Sequence, residues 1–235
     1  MSTTGEPDEP DDGPVDEHFD VDQPIGEARW PMAGAVVAAM VLTVLLPSQI
    51  RILPVWVAPT VEGLLLIALV IGDPGAIDKR SQGLRTLSIA LVSLLVLSTM
   101  ITTVRLIDAL IHGSSATNSA NELLRVGGIV FLSTIIAFAL LYWELDGGGA
   151  AARAHRLPKY PDFAFPQQIN DDLAPPNWRP RFFDYLYLGF TNALAFSPTD
   201  VMPLAVWAKL LMAIQSSISL LLLGLVIARA VNVLT

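Results

Sequence analysis

Five apolar runs, at roughly residues 31–47, 52–72, 84–107, 123–143 and 204–228, dictate what this chain can fold into. A stretch of about 18 or more apolar residues is long enough for a helix to cross the hydrocarbon core of a bilayer. Only 15% of the chain is charged, where a soluble domain has about 25%. The expected class is therefore all-α, a polytopic helical membrane protein with about five spans. The first run lies behind a long acidic tail, whereas a secretory signal has a short basic start. It reads as a span.

Charge divides the chain. Residues 1–28 hold ten acids and no Lys or Arg. The whole chain carries −8 and this segment −10, which leaves +2 for the rest. Four prolines and few large apolar residues accompany the acids. Such a segment buries too little surface to offset its conformational entropy, so 1–29 is expected to be a disordered acidic tail, a solvated spacer or, alternatively, a binding or sensing arm. Next come a four-span body at 30–144, a Pro-rich surface loop at 145–181, and a last unit at 182–235. Trp30 suits the membrane interface. Pro47 and Pro54 bracket a tight turn between the first two spans. The third span is rich in Ser and Thr, whose hydroxyls can bond their own helix or a neighbour. The fourth ends in YWELDGGG, read as an aromatic interface anchor before a glycine run.

Several function classes lack their residues. There is no cysteine, so thiol chemistry is excluded. His18, His112 and His155 share no helical face with a ligand set, and no metal site or cofactor is expected. No Ser-His-Asp set, phosphate loop or dinucleotide fingerprint appears, and no enzyme is expected. No basic patch suits nucleic acid. Arginine outnumbers lysine 11 to 3, a usage that fits a GC-rich bacterium and its cytoplasmic membrane. The bilayer itself is an expected partner.

Some polar residues lie inside the apolar runs. Glu62 is an intramembrane acid and a candidate proton or cation site, with Arg105 or Arg125 as partners. The plainer alternative starts a helix at Pro59 and Thr60, so that Glu62 falls in its first turn, favoured by the helix dipole. Arg105 and Asp108, and again Glu122 and Arg125, have the spacing of interfacial ion pairs. Gly127 and Gly128 permit close helix packing.

The stretch FTNALAFSPTDVMP at 190–203 sets helix-breaking chemistry between two apolar segments. Residues 182–195 would form a helix of about 21 Å, too short for an apolar core about 30 Å thick. A short helix, a polar turn and a full span describe a re-entrant loop, which survives only when buried in protein or lining water.

The frame from Asp184 to Asn232 resembles the pore helix, filter and inner helix of tetrameric two-span bacterial potassium channels over about 48 residues. Phe190, Asp200, Pro203, Ala208, Lys209, Ile227, Ala228 and Arg229 match that family's pattern. The resemblance makes span four an outer helix and 145–181 a turret, and it implies a homo-oligomer, a tetramer. The chain also resembles a group of uncharacterised bacterial membrane proteins that share the frame YLYLGFTNALAFSPTD. Where the channels have glycines flanking a tyrosine, this chain has Ser197, Pro198 and Thr199. Pro198 fixes φ and lacks an N–H, and Thr199 disfavours positive φ. The potassium filter should not form.

Three readings follow. In the first, Asn192, Ser197, Pro198, Thr199 and Asp200, with Gln215 and Ser219 further along, line a derived ion-channel-like pore of non-potassium selectivity. In the second, the module is a non-conducting scaffold or partner-binding subunit that serves an unknown membrane partner. The third is ordinary turn chemistry. Orientation divides two arguments. The side of the tail collects nine Lys and Arg and the other side mainly Arg51 and Arg229, which places the tail in the cytoplasm, whereas a turret faces outward. A full crossing by 182–203 would make six spans with both termini in the cytoplasm.

Overall fold

A computed structural model describes residues 26–77, 81–114, 118–155, 160–175, 178–194 and 200–234. The described residues are mostly helical, with α1 (Trp30–Leu45), α2 (Val57–Gly72), α3 (Gln82–His112), α4 (Ala120–Leu145), α5 (Ala150–Ala154), α6 (Pro166–Ile169), α7 (Phe182–Leu194) and α8 (Val206–Leu234). Two short antiparallel bridges complete the fold. β1 (Glu27–Ala28) pairs with β2 (Ala76–Ile77), and β3 (Phe163–Ala164) pairs with β4 (Met202–Pro203).

Three of these helices, α3, α4 and α8, are long and apolar enough to cross a membrane. α1 and α2 are equally apolar but have 16 residues each, about 24 Å of helix. α1 opens with Pro31 in its first turn, where the missing N–H costs nothing. It stops at Leu45, and Pro47 prevents its continuation. α4 opens on Ser119, whose hydroxyl accepts from the Glu122 N–H, and Glu122 holds Arg125 at 3.0 Å.

α4 is the hub. It packs against α1, α3, α7 and α8. Its apolar window is 67% buried, against 28% for α3 and 22% for α8, so those two helices turn most of their surface outward. Gly127 lets α8 approach, since a Cβ there would lie 3.0 Å from Val226; Gly128 faces open space. Hydroxyls of α3 bond inward to the helix. Thr86, Thr102 and Thr103 donate to the carbonyls of Gln82, Ser98 and Thr99. Ser88 instead crosses to the Glu144 carboxylate on α4.

The aromatic end of α4 departs from the expected interface anchor. Tyr142 and Trp143 are buried. Tyr142 meets Phe163 edge-on at 5.4 Å, and Trp143 meets Phe182 at 6.2 Å. Both partners come from beyond α4, so the loop and α7 cover what would otherwise face headgroups. The 145–181 segment is irregular and Pro-rich, yet it sends Phe163 and Phe165 into the main core. Asp146 organises it by accepting the N–H groups of Asp162 and Phe163 and the Tyr185 hydroxyl. Arg153 closes the same corner. It donates to the Trp143 and Asp146 carbonyls at 2.7 and 2.6 Å and lies 5.0 Å over the Tyr185 ring.

Residues 26–29 are bound into this end of the bundle. Arg29 forms a buried ion pair with Asp73 at 2.9 Å, and its Nε donates to the Asp73 carbonyl. Glu27 accepts from the Trp143 indole and from the Phe182 N–H. Burial holds the Glu27 carboxyl above its usual range, against the pull of those donors and of Arg153 and Arg181.

Asp73→Ala leaves the Arg29 charge buried and unpaired, and is expected to cost about 3–5 kcal/mol, read as a lower thermal midpoint in detergent. Because the folded state holds the Glu27 proton more tightly than the unfolded chain, that stabilisation is complete below the ordinary carboxyl value of 4.5 and is lost as pH rises through the folded value. The gap in thermal midpoint between wild type and Glu27→Gln is therefore expected to move in favour of the variant as pH rises from 4.5.

Candidate functional site

α7 has 13 residues, and its inward positions Phe182, Tyr185, Leu188, Gly189 and Asn192 recur at helical spacing. The Arg181 N–H bonds the Asp184 carboxylate at 2.7 Å at its start. The helix seats on α4 and α8. Gly189 makes the close approach, since a Cβ there would stand 3.1 Å from the Ile135 carbonyl oxygen. The outward residues Phe183, Tyr187 and Phe190 are exposed.

A polar knot closes the inner end of α7. Gln215, fully buried on α8, accepts at its Oε1 from the Tyr142 hydroxyl and from Asn192 Nδ2, both at 2.7 Å. Its Nε2 donates to the Gly189 carbonyl at 2.8 Å. Asn192 Nδ2 also reaches the Met212 carbonyl at 3.0 Å, and the Ser216 hydroxyl donates to Asn192 Oδ1 at 2.9 Å. Side chains of three helices thus bond one another and the backbone of α7 and α8. Among the residues the sequence singles out, Asn192 and Gln215 are brought together. Ser219 lies one turn on, fully buried, with its hydroxyl unpartnered among the described residues. Asp200 is exposed. Ser197, Pro198 and Thr199 lie outside the described residues.

Sequence reasoning missed Tyr142 and Ser216. The available signal was Tyr142's hydroxyl, a donor that needs a partner once its ring is buried.

Glu62 corrects a second expectation. α2 begins at Val57, not at Pro59, so Glu62 falls beyond the first turn, and no acid lies there. It is fully buried, and neither carboxyl oxygen has a partner among the described residues. Arg105 instead donates to the Gln49 carbonyl at 3.1 Å, and Arg125 pairs with Glu122. Asp108 pairs with His112 at 3.0 Å rather than with Arg105. Among the described residues no cluster of His and carboxylates could hold a metal ion.

At the other end, both margins of the 182–203 segment meet the same end of α4. Phe182 packs on Trp143, while Met202 and Pro203 pair with Ala164 and Phe163 beside Asp146. Trp207 then donates to Asp162 at 3.2 Å, and the Leu204 N–H to the Asp162 carbonyl at 2.8 Å.

Comparisons with family models, with curated proteins and with solved structures return no match.

Gln215→Leu strands the Tyr142 hydroxyl and the Asn192 amide, and unpaired buried groups cost about 1–3 kcal/mol each. The variant should unfold well below wild type in detergent, and Tyr142→Phe, which removes a single donor, should lose less. Glu62→Leu removes two unpartnered buried oxygens and should raise the thermal midpoint. A lower midpoint would mean that the carboxyl has a partner in the membrane.

Proposed function

We propose that this chain is an integral protein of a bacterial cytoplasmic membrane, with five spans and α7 as a re-entrant helix, and that its α4–α7–α8 unit is a non-conducting scaffold built on a channel-like frame. The observation that carries the scaffold reading is the polar knot. Asn192 and Gln215, the residues expected to line a pore, spend their hydrogen-bonding groups on Tyr142, Gly189, Met212 and Ser216 within one chain. Gln215 and Ser219 face the chain's own interior. A permeation path needs polar groups free to replace water around a solute, and the amides of Asn192 and Gln215 are bonded within the chain instead.

The re-entrant course of α7 is supported by its 13-residue length and by the return of Met202–Pro203 to the end of α4 where Phe182 begins. α1 and α2 complete the five spans, extended by the apolar turn that holds the buried Leu46 and Ile50. The surface left for a membrane partner or a second copy is the outward side of α7 and α8, which exposes Phe183, Tyr187, Leu210, Ile214 and Leu221.

Purified protein in liposomes is expected to show neither ion flux nor single-channel events at any voltage. A wild-type current that Asp200→Asn alters would overturn the scaffold reading in favour of a derived pore.

A further inference from the structure

A cavity of about 720 Å³ opens between the start of α3, the end of α4 and the glycine turn that follows it. Leu69, Ile77, Leu84 and Ala150 form its apolar wall. Arg29 also reaches it, but its charge is neutralised by Asp73. Two opposite charges remain. Arg85 is exposed at the rim, and its guanidinium has no hydrogen bond or ion pair among the described residues. Glu144 is 5% exposed, and one of its oxygens takes the Ser88 hydroxyl.

The two charges stand near each other without touching. Arg85 Nη1 and Glu144 Oε1 lie 3.1 and 3.5 Å from the point where a Cβ on Gly149 would sit, yet no ion pair joins them. Gly149 has φ +94°, which L side chains rarely adopt, and its lack of a side chain lets Arg85 and the Glu144 side chain and carbonyl approach the backbone there. A cation and a carboxylate held apart over an apolar wall complement a ligand that carries an anion and an ammonium a few bonds apart, with an apolar tail.

We infer that this cavity holds the headgroup of an aminophospholipid, its phosphate on Arg85 and its ammonium on Glu144. A trimethylammonium headgroup has no N–H to give the carboxylate. A purely anionic headgroup bound at Arg85 would face the Glu144 charge with nothing to offset it. The membrane is the source because the cavity sits where two helices of spanning length, Gln82–His112 and Ala120–Gly148, begin and end.

Native mass spectrometry of the full chain, with added phosphatidylethanolamine, phosphatidylcholine or phosphatidylglycerol, tests this. Wild type should retain the ethanolamine lipid in preference to the other two. Arg85→Gln should weaken ethanolamine and choline lipids alike by about tenfold, the scale of one lost charge-assisted hydrogen bond. Glu144→Gln, which keeps the shape, should erase the preference for ethanolamine over choline. Arg85 is exposed, so its variant decides the matter even where the buried Glu144 variant loses its fold. Equal retention of the three lipids, or an Arg85→Gln protein that binds as wild type does, would overturn the proposal. So would soluble phosphoethanolamine binding to a protein that retains none of the lipids, because the ligand would then be a free zwitterion.

Discussion

A single primary amide, on Gln215, joins α8 to both α4 and α7. Its oxygen takes one donor from each of those helices and its nitrogen gives one bond back to the α7 backbone. The amide is planar, so the positions of the Tyr142 hydroxyl, the Asn192 nitrogen and the Gly189 carbonyl are set relative to one another. In an apolar bundle such a group has no water to fall back on. The register of α7 follows from it, and with that register the contact of Gly189 on Ile135 and the nesting of Tyr185 under Phe165. Asp146 does the corresponding work at the opposite end of α7, where it gathers Tyr185 and the chain at Asp162 and Phe163. The helix is thus gripped at both ends by polar groups and along its length by packing.

Much of this was legible in the sequence, and the reason is length. Apolar runs at 84–107, 123–143 and 204–228 announce α3, α4 and α8, because nothing but a helix satisfies so many backbone groups in so apolar a stretch. The shortness of α7 and the oddity of Asn192 and Gln215 among apolar neighbours were visible for the same reason. What was hidden depended on residues far along the chain. Tyr142 and Trp143 at the end of an apolar run look alike whether they meet headgroups or other rings, and the rings they meet, on Phe163 and Phe182, come from later segments. Glu62 was misplaced by one local signal. Proline is tolerated throughout a first turn, so Pro59 does not mark where α2 starts. Arg105 was claimed by the Gln49 carbonyl, across the turn between α1 and α2.

The outward surfaces tell a complementary story. α3 and α8 leave most of their apolar windows uncovered, and the large residues they expose there are aliphatic, beside small or polar ones such as Ser93 and Ser217. Polar groups gather inside and at both ends, with Arg105, Asp108, Glu122 and Arg125 at one and Arg29, Asp73, Arg85, Glu144, Asp146 and Arg153 at the other. That end is both the best-braced part of the fold and its most chemically varied part. Arg29 and Asp73 are matched there and Asp146 takes several hydrogen bonds, whereas the buried Glu144 takes only the Ser88 hydroxyl among the described residues.

The two grips on the 182–203 segment also set what can vary between them. Leu194 ends a helix fastened through Asn192, and Met202–Pro203 are fastened to Phe163–Ala164. The fold thus specifies the two ends between which the intervening link must run. Lengthening a link between fixed points is cheap, about 0.6 kcal/mol for each doubling.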